Sequence, residues 1–212
     1  MTRLYLVRHG ETDWNATQRC QGTVDVPLNA CGRNQAEALA DALRDVRFDA
    51  AYSSPLARAR RTAETILRRS DVRVTSMPAL SEMSYGAWQG LTPDEWPDDA
   101  RSRWTNSPWQ MTFPEGESLD MVQQRVGPVI DQIVRRHAGE TVLISGHGHA
   151  NRVILISAGY CARDAFWDIA QPNGGAWVLE YDTEGTRATR MDQLPIHNAT
   201  GQAIVTTAEA PS

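Results

Sequence analysis

Residues 4–12 read Leu-Tyr-Leu-Val-Arg-His-Gly-Glu-Thr, an apolar run rich in β-formers that stops abruptly at a cation, an imidazole and a glycine. This pattern predicts a short buried strand over residues 4–7 with chemistry at its carboxyl end. The same arrangement returns at residues 141–148, where Thr-Val-Leu-Ile-Ser is followed by Gly146-His147-Gly148. Open α/β sheets bind their ligands beyond the carboxyl ends of strands, so two histidines placed there, each beside glycine, face one rim.

Working outward, Asn29 is predicted to cap a helix to residue 43, with Ala36, Leu39, Ala40 and Leu43 as its apolar stripe. Residues 50–53 read as a second strand. Pro55 suits the first turn of a further helix that buries Leu56, Ala59, Ala63, Ile66 and Leu67. A third strand is expected over 72–77 and a long helix from Ser118 to 137, with Leu119, Val122, Val126, Ile130, Ile133 and Val134 at helical spacing. The fourth strand, 141–145, precedes a helix over 151–158, and two closing strands fall at 176–181 and 187–191. Between them, residues 81–117 are broken by Pro93, Pro97, Pro108 and Pro114 and carry Trp88, Trp96, Trp104 and Trp109, which reads as a lid or insertion over a pocket. The expected architecture is one α/β domain, residues 1–198, a three-layer α/β/α sandwich with a mostly parallel central sheet. Residues 199–212 are small and polar and read as a flexible tail.

Composition excludes several classes. No run approaches the roughly 18 apolar residues of a membrane span, and the apolar stretch at the start is too short for a signal peptide, so a cytoplasmic protein without a membrane partner is expected. Three cysteines, Cys20, Cys31 and Cys161, have no CxxC spacing, which indicates neither a disulfide framework nor a zinc site. A net charge of −5 argues against nucleic acid as a partner. All 21 basic residues other than histidine are arginine, whose planar fork is suited to reading phosphate oxygens.

Arg8, His9 and His147 stand at strand ends, Arg58 at the start of the helix after the second strand, and Glu82 after the third. Two histidines, two arginines and a carboxyl on one edge form a candidate catalytic set.

In this order the residues resemble the histidine phosphatase superfamily, the phosphoglycerate mutase-like branch. The resemblance rests on Leu6-Val7-Arg8-His9-Gly10-Glu11-Thr12 with Asn15, and on Gln21-Gly22 with Asp25-Val26-Pro27-Leu28. It continues through Ser53-Ser54-Pro55-Leu56 with Arg58-Ala59, Leu80-Ser81-Glu82 with Tyr85-Gly86-Ala87-Trp88, Pro114-Glu115-Gly116-Glu117-Ser118, and Ser145-Gly146-His147-Gly148 with Arg152. It implies a phosphoglycerate mutase-like fold and attack on phosphorus by a neutral ring nitrogen of His9, whose other nitrogen a backbone carbonyl would hold. It also implies that Arg8, Arg58 and His147 grip the phosphoryl oxygens as cationic donors. Glu82 would protonate the leaving oxygen and later activate water, which asks for a raised pKa. Asn15, Gln21, Gly22, Tyr85, Gly148 and His149 are candidate substrate-binding residues. His149 touches substrate, tunes His147 or simply faces solvent from a loop.

In the family's mutases arginine typically follows the acid/base glutamate. Here Met83 does, and residues 91–114 hold only Arg101 and Arg103 against four acids. That favours a metal-independent phosphatase acting on a small phosphorylated metabolite, with no cofactor. Glu82-Met83, Tyr85-Gly86-Ala87-Trp88 and Gly174-Gly175-Ala176-Trp177 are similar to parts of the alpha-ribazole phosphatases. The alternatives are a mutase-type phosphoryl transfer, a metal-dependent hydrolase using His147 and His149, and a non-catalytic phosphate sensor. A homodimer formed through a sheet edge or an exposed helix is also compatible with the sequence.

Overall fold

In a computed structural model, which describes residues 1–182 and 188–194, the first strand, β1 (Thr2–Arg8), occupies an interior position of a six-stranded sheet. The other strands are β2 (Ala50–Ser53), β3 (Val74–Ser76), β4 (Thr141–Gly146), β5 (Ala176–Tyr181) and β6 (Ala188–Leu194), in the order β3-β2-β4-β1-β5-β6. β1, β2, β3 and β4 run parallel, and β5 and β6 are antiparallel additions on one side. The expected, mostly parallel α/β fold is therefore observed.

Alternation along β1 explains the layers. Leu4 and Leu6 point to one face and Tyr5 and Val7 to the other, so a strand that looks uniformly apolar serves two cores. On the first face, Leu6 and Ile144 belong to a cluster with Val122, Val126 and Ile130 of α5 (Leu119–Arg136) and Val153 of α6 (Gly148–Ser157). On the second, Val7 and Leu143 belong with Leu39 of α2 (Ala30–Ala42) and Ala63 and Ile66 of α3 (Ala57–Ile66).

The caps follow side-chain chemistry. Asn29 accepts from the Gly32 N–H and Ser118 from Met121, as the positions of these two residues predicted. Thr12 and Asn15 form a reciprocal capping box on a further short helix, α1 (Asp13–Ala16). Near Gly32 two backbones touch. A Cβ on Gly32 would lie 2.0 Å from the Glu11 carbonyl oxygen, and one on Gly10 2.2 Å from that of Gly32. Glycine lets α2 seat against the loop that follows β1.

Several boundaries differ from expectation. The last helix begins at Gly148, not residue 151, because His147 is its N-cap and the chain turns helical directly after β4. Pro55 lies outside α3, since Leu56 is extended and serves as the cap. β3 is shorter than 72–77, while β6 begins at Ala188 and runs on to Leu194. Residue 187 and the tail beyond 198 lie outside the described residues.

The tryptophan-rich segment folds as short 3-10 turns around α4 (Ala100–Asn106). Trp96, Trp104 and Phe113 are buried in the same cluster as Leu6, so the proline breaks interrupt helices without detaching the segment from the core. Among the described residues no helix is long and apolar enough to cross a membrane.

Candidate active site

The carboxyl ends of β1, β2 and β4 converge as their order requires. The His9 N–H donates to Gly146 O at 3.1 Å, which ties the end of β1 to that of β4. On the other side, the His9 carbonyl accepts from Gly174 N at 3.1 Å and Asn173 Nδ2 at 3.2 Å. The main chain that carries the ring is thus fixed from both flanks.

His9 Nδ1 lies 2.6 Å from Gly10 O. A carbonyl can only accept, so the proton belongs on Nδ1 and the lone pair on Nε2. Burial, then the charges of Arg58 and Arg8, hold the ring's pKa well below its usual 6.5, and the imidazole is neutral at physiological pH. The carbonyl anticipated from the resemblance is that of the next residue.

His147 stands at the N-terminus of α6 with its ring centroid 5.1 Å from that of His9. It is fully buried, and neither ring nitrogen has a hydrogen-bond partner among the described residues. Burial and the charge of Arg58 also push its pKa well below 6.5. The expected cationic donor is therefore a neutral one in the protein alone, because the ring is buried and two guanidinium groups already charge this small space. A dianion bound beside it would shift that balance toward the protonated ring.

Arg58 is completely buried; its terminal nitrogens donate to Val24 O and Gly22 O, both at 2.7 Å. Burial lowers its pKa to about 10, so it remains charged. Arg8 donates to Gln171 O. The Nε atoms of both arginines have no partner among the described residues, as with His147. Buried donors without acceptors are costly, and an anion held among them would satisfy several at once.

Glu82 lines the same cavity. Its carboxylate accepts from the backbone N–H groups of Met83 at 2.9 Å, His149 at 3.2 Å and Ala150 at 3.1 Å. Burial pushes its pKa up, but the His149 ring and these three donors outweigh it, and the carboxyl sits below its usual 4.5. The raised pKa expected for a general acid is thus reversed in the protein alone. The cause is the first turn of α6, whose N–H groups favour a carboxylate.

Arg8, His9, Arg58 and Glu82 line a cavity of about 340 Å³, together with Asn15, Gln21, Gly22, Tyr85, Gly148 and His149. The structure brings together every one of these predicted positions, and the His147 ring packs edge-on to that of His9 beside them. Asn15 Oδ1 is occupied by the Thr12 N–H, the Thr12 hydroxyl and Asn173. A Cβ on Gly148 would meet the Arg8 guanidinium at 3.4 Å. His149 does not face solvent from a loop: it lies in the first turn of α6, 2.9 Å through Nδ1 from the Tyr85 hydroxyl and stacked on Phe166. Among the described residues no group of three or more His, Cys, Asp and Glu side chains is arranged to hold a metal ion.

A neutral imidazole with an outward lone pair, buried guanidinium donors and a carboxylate lining the same cavity can transfer a phosphoryl group through nitrogen. Comparison with known proteins gives the family. The profile of the histidine phosphatase superfamily, branch 1, matches residues 4–193. The chain belongs to that superfamily. It is 33% identical over 191 residues to phosphoserine phosphatase 1 of Hydrogenobacter thermophilus, covering 86% of this chain and 88% of that protein. It is 35% identical over 165 residues to a 2,3-bisphosphoglycerate-dependent phosphoglycerate mutase of Bartonella henselae, covering 73% and 80%. Among solved structures, YhfR of Bacillus stearothermophilus superposes with a TM-score of 0.83 at 33% identity, over 96% of this chain and 98% of that one.

Some parts of this histidine phosphatase site escaped the sequence reading. Asn173 bridges the His9 carbonyl and Asn15, and Gln171 receives Arg8. The turn-forming Pro172-Asn173-Gly174-Gly175 run just before β5 was the available signal. Arg125, which with Glu117 holds the Glu82 segment, carried no signal because it lies on an ordinary polar position of α5, while Glu117 was visible only as part of the turn motif before that helix.

Proposed function

We propose that this protein is a cytoplasmic phosphatase that hydrolyses small-molecule phosphate monoesters through a phosphohistidine on His9, without a metal or cofactor. The observation that carries this reading is the His9 ring. It is neutral, with Nδ1–H directed to Gly10 O and Nε2 left for phosphorus, on the floor of a cavity shared with two buried guanidinium groups. Family membership and the similarity to a phosphoserine phosphatase support phosphatase activity. The expected partner is a phosphorylated metabolite, not nucleic acid or membrane, and residues 81–117 would cover the leaving-group end of a single domain.

In the first step Nε2 attacks phosphorus as the ester P–O bond breaks, with Arg8, Arg58, His147 and Asn15 holding the equatorial oxygens. The leaving oxygen takes its proton from Glu82, which acquires it when the incoming phosphate raises its pKa. In the second step water attacks the phosphorus, giving its proton to Glu82 as the P–N bond breaks, and inorganic phosphate leaves. His9 regains its lone pair.

The test is phosphate release from p-nitrophenyl phosphate and a panel of metabolite esters in EDTA, with His9→Ala as control. Metal-independent release that disappears in the variant, together with an acid-labile phosphoenzyme in the wild type, supports the reading. Interconversion of phosphoglycerates without net phosphate release would replace it with a mutase, the activity named for the Bartonella relative.

A further inference from the structure

We infer that the leaving group this cavity takes is an uncharged ring, aromatic or heteroaromatic, and not a carboxylate-bearing alcohol. The inference rests on the phosphatase reading of the same site and specifies its substrate class. With phosphate among Arg8, Arg58 and His9, in-line departure directs the leaving oxygen away from His9 toward Glu82. The rest of the ester must therefore lie against the walls around Glu82.

Those walls are aromatic. Trp104 meets the His149 ring at 5.5 Å and Trp167 at 5.4 Å, both edge to face, and Tyr85 packs edge-on to His149 at 5.9 Å. Tyr85, Trp104, His149 and Trp167 all line the cavity. The hydroxyl of Tyr85 and Nδ1 of His149 satisfy each other, and the indole Nε1 of Trp167 is the buried donor of this wall without a partner among the described residues. At about 340 Å³ the cavity is near the lower end of small-molecule sites, ~300–1,000 Å³, room for a phosphate and a single ring system.

The charges point the same way. Beyond the phosphate end, the cavity-lining cations are Arg19 and Arg101. Arg101 pairs with Asp94 at 2.6 Å, while Arg19 donates to Gly90 O at 2.6 Å and faces Glu95 at 3.7 Å. Asp94 itself lines the cavity, as does an already ionised Glu82. The further guanidinium nearby, Arg152, lies behind the wall over the rings of Phe166 and Trp167 and donates to Ile169 O. A carboxylate on the leaving group would meet the negative faces of aromatic rings and two carboxylates, and would have to break a rim ion pair to find a cation. A neutral ring meets favourable offset or edge contacts along the aromatic wall.

The experiment compares kcat/KM for benzyl phosphate, O-phosphoserine and 3-phosphoglycerate, with His9→Ala as blank. Benzyl phosphate and phosphoserine are both esters of primary alcohols, so the comparison reads the wall more than the chemistry. Benzyl phosphate should be favoured at least about tenfold, and half-buried Trp167→Leu should cut that ratio severalfold, kcat/KM falling more for benzyl phosphate than for phosphoserine. Trp104→Leu should do the same if it folds, with Trp167→Leu deciding where it does not. Equal or faster turnover of phosphoserine or 3-phosphoglycerate would overturn the inference, and loss of that preference in Arg101→Gln would then assign the carboxylate to the rim. His9-dependent turnover without a ring preference sinks this inference alone. No His9-dependent turnover of any ester sinks the phosphatase reading as well.

Discussion

The guanidinium of Arg125 donates to the main-chain oxygen of Glu82 at 3.1 Å. Its remaining donors go to the carbonyls of Ala79 and Ser81, both at 2.8 Å, and to the two Glu117 carboxylate oxygens at 2.7 and 2.9 Å. Glu117 in turn accepts from the Ser84 N–H at 2.9 Å. One side chain of α5 thus fixes the whole segment that presents Glu82, with every N–H of its fork employed.

Arg125 is therefore a positioning residue for Glu82. Arg125→Ala should lower kcat by about 10–100-fold with KM changed less than about threefold, since phosphate binding uses other residues. Arg125→Lys, which keeps the charge but loses the fork, should restore part of kcat. A burst of phosphoenzyme per folded site should persist in both. A loss of kcat accounted for entirely by a smaller folded fraction would reduce Arg125 to a structural role.

Removing the carboxylate itself separates chemistry from binding. Glu82→Gln should slow turnover by about 10²–10⁴-fold. Inorganic phosphate should inhibit the variant at least as tightly as the wild type, because an anion facing the ligand has gone. Weaker phosphate inhibition would mean that Glu82 organises the anion site instead of donating to the leaving oxygen.

The pH profile follows from two depressed pKa values. His9 must be neutral to attack, and its pKa lies well below 6.5, so the nucleophile is lost only when pH falls through that lower value. Glu82 is ionised in the protein alone and must acquire a proton to act as acid, which falling pH favours. The expected kcat/KM therefore rises as pH is lowered from about 8 and declines only below 6.5. Stopped-time assays across this range, corrected for ionisation of the ester, check it. An acid limb centred at or above 6.5 would show that His9 is not the depressed, neutral base described here.

Stability at the loop after β1 should depend on a glycine. In an ordinary helix interior Gly→Ala stabilises by roughly 0.5–1 kcal/mol. At Gly32 the new Cβ would lie 2.0 Å from the Glu11 carbonyl oxygen, so the sign should reverse. Gly32→Ala should lower Tm by about 5 °C or more, read by calorimetry. An unchanged or higher Tm would mean that α2 can retreat without cost.

The sheet was readable because its strands announce themselves locally. Residues 4–7, 50–53 and 141–145 are short, apolar and followed by polar punctuation, and each lies in or fills a strand of the structure. Asn29 and Ser118 fixed two helix starts for the same reason, since capping is decided by one side chain and the next turn. The start of α6 was misplaced because the helix begins within the Gly-His-Gly motif itself, where glycine lowers helix propensity and packing overrides it. Local sequence carries no comparable sign of a partner such as Arg125, 43 residues beyond Glu82.

By itself the sequence determined the order of strands and helices, the residues at the strand ends and their resemblance to histidine phosphatases, because these depend on near neighbours along the chain and on motif spacing. Only the tertiary structure decided the state of those residues. His9 and His147 are neutral because both rings are buried and two arginines from different elements lie beside them, and the buried Glu82 is ionised because the His149 ring and the N–H groups of Met83, His149 and Ala150 face it. Protonation follows desolvation and the charges within a few ångströms, and those distances exist only once β1, α3, α6 and the segment after β3 have been packed together.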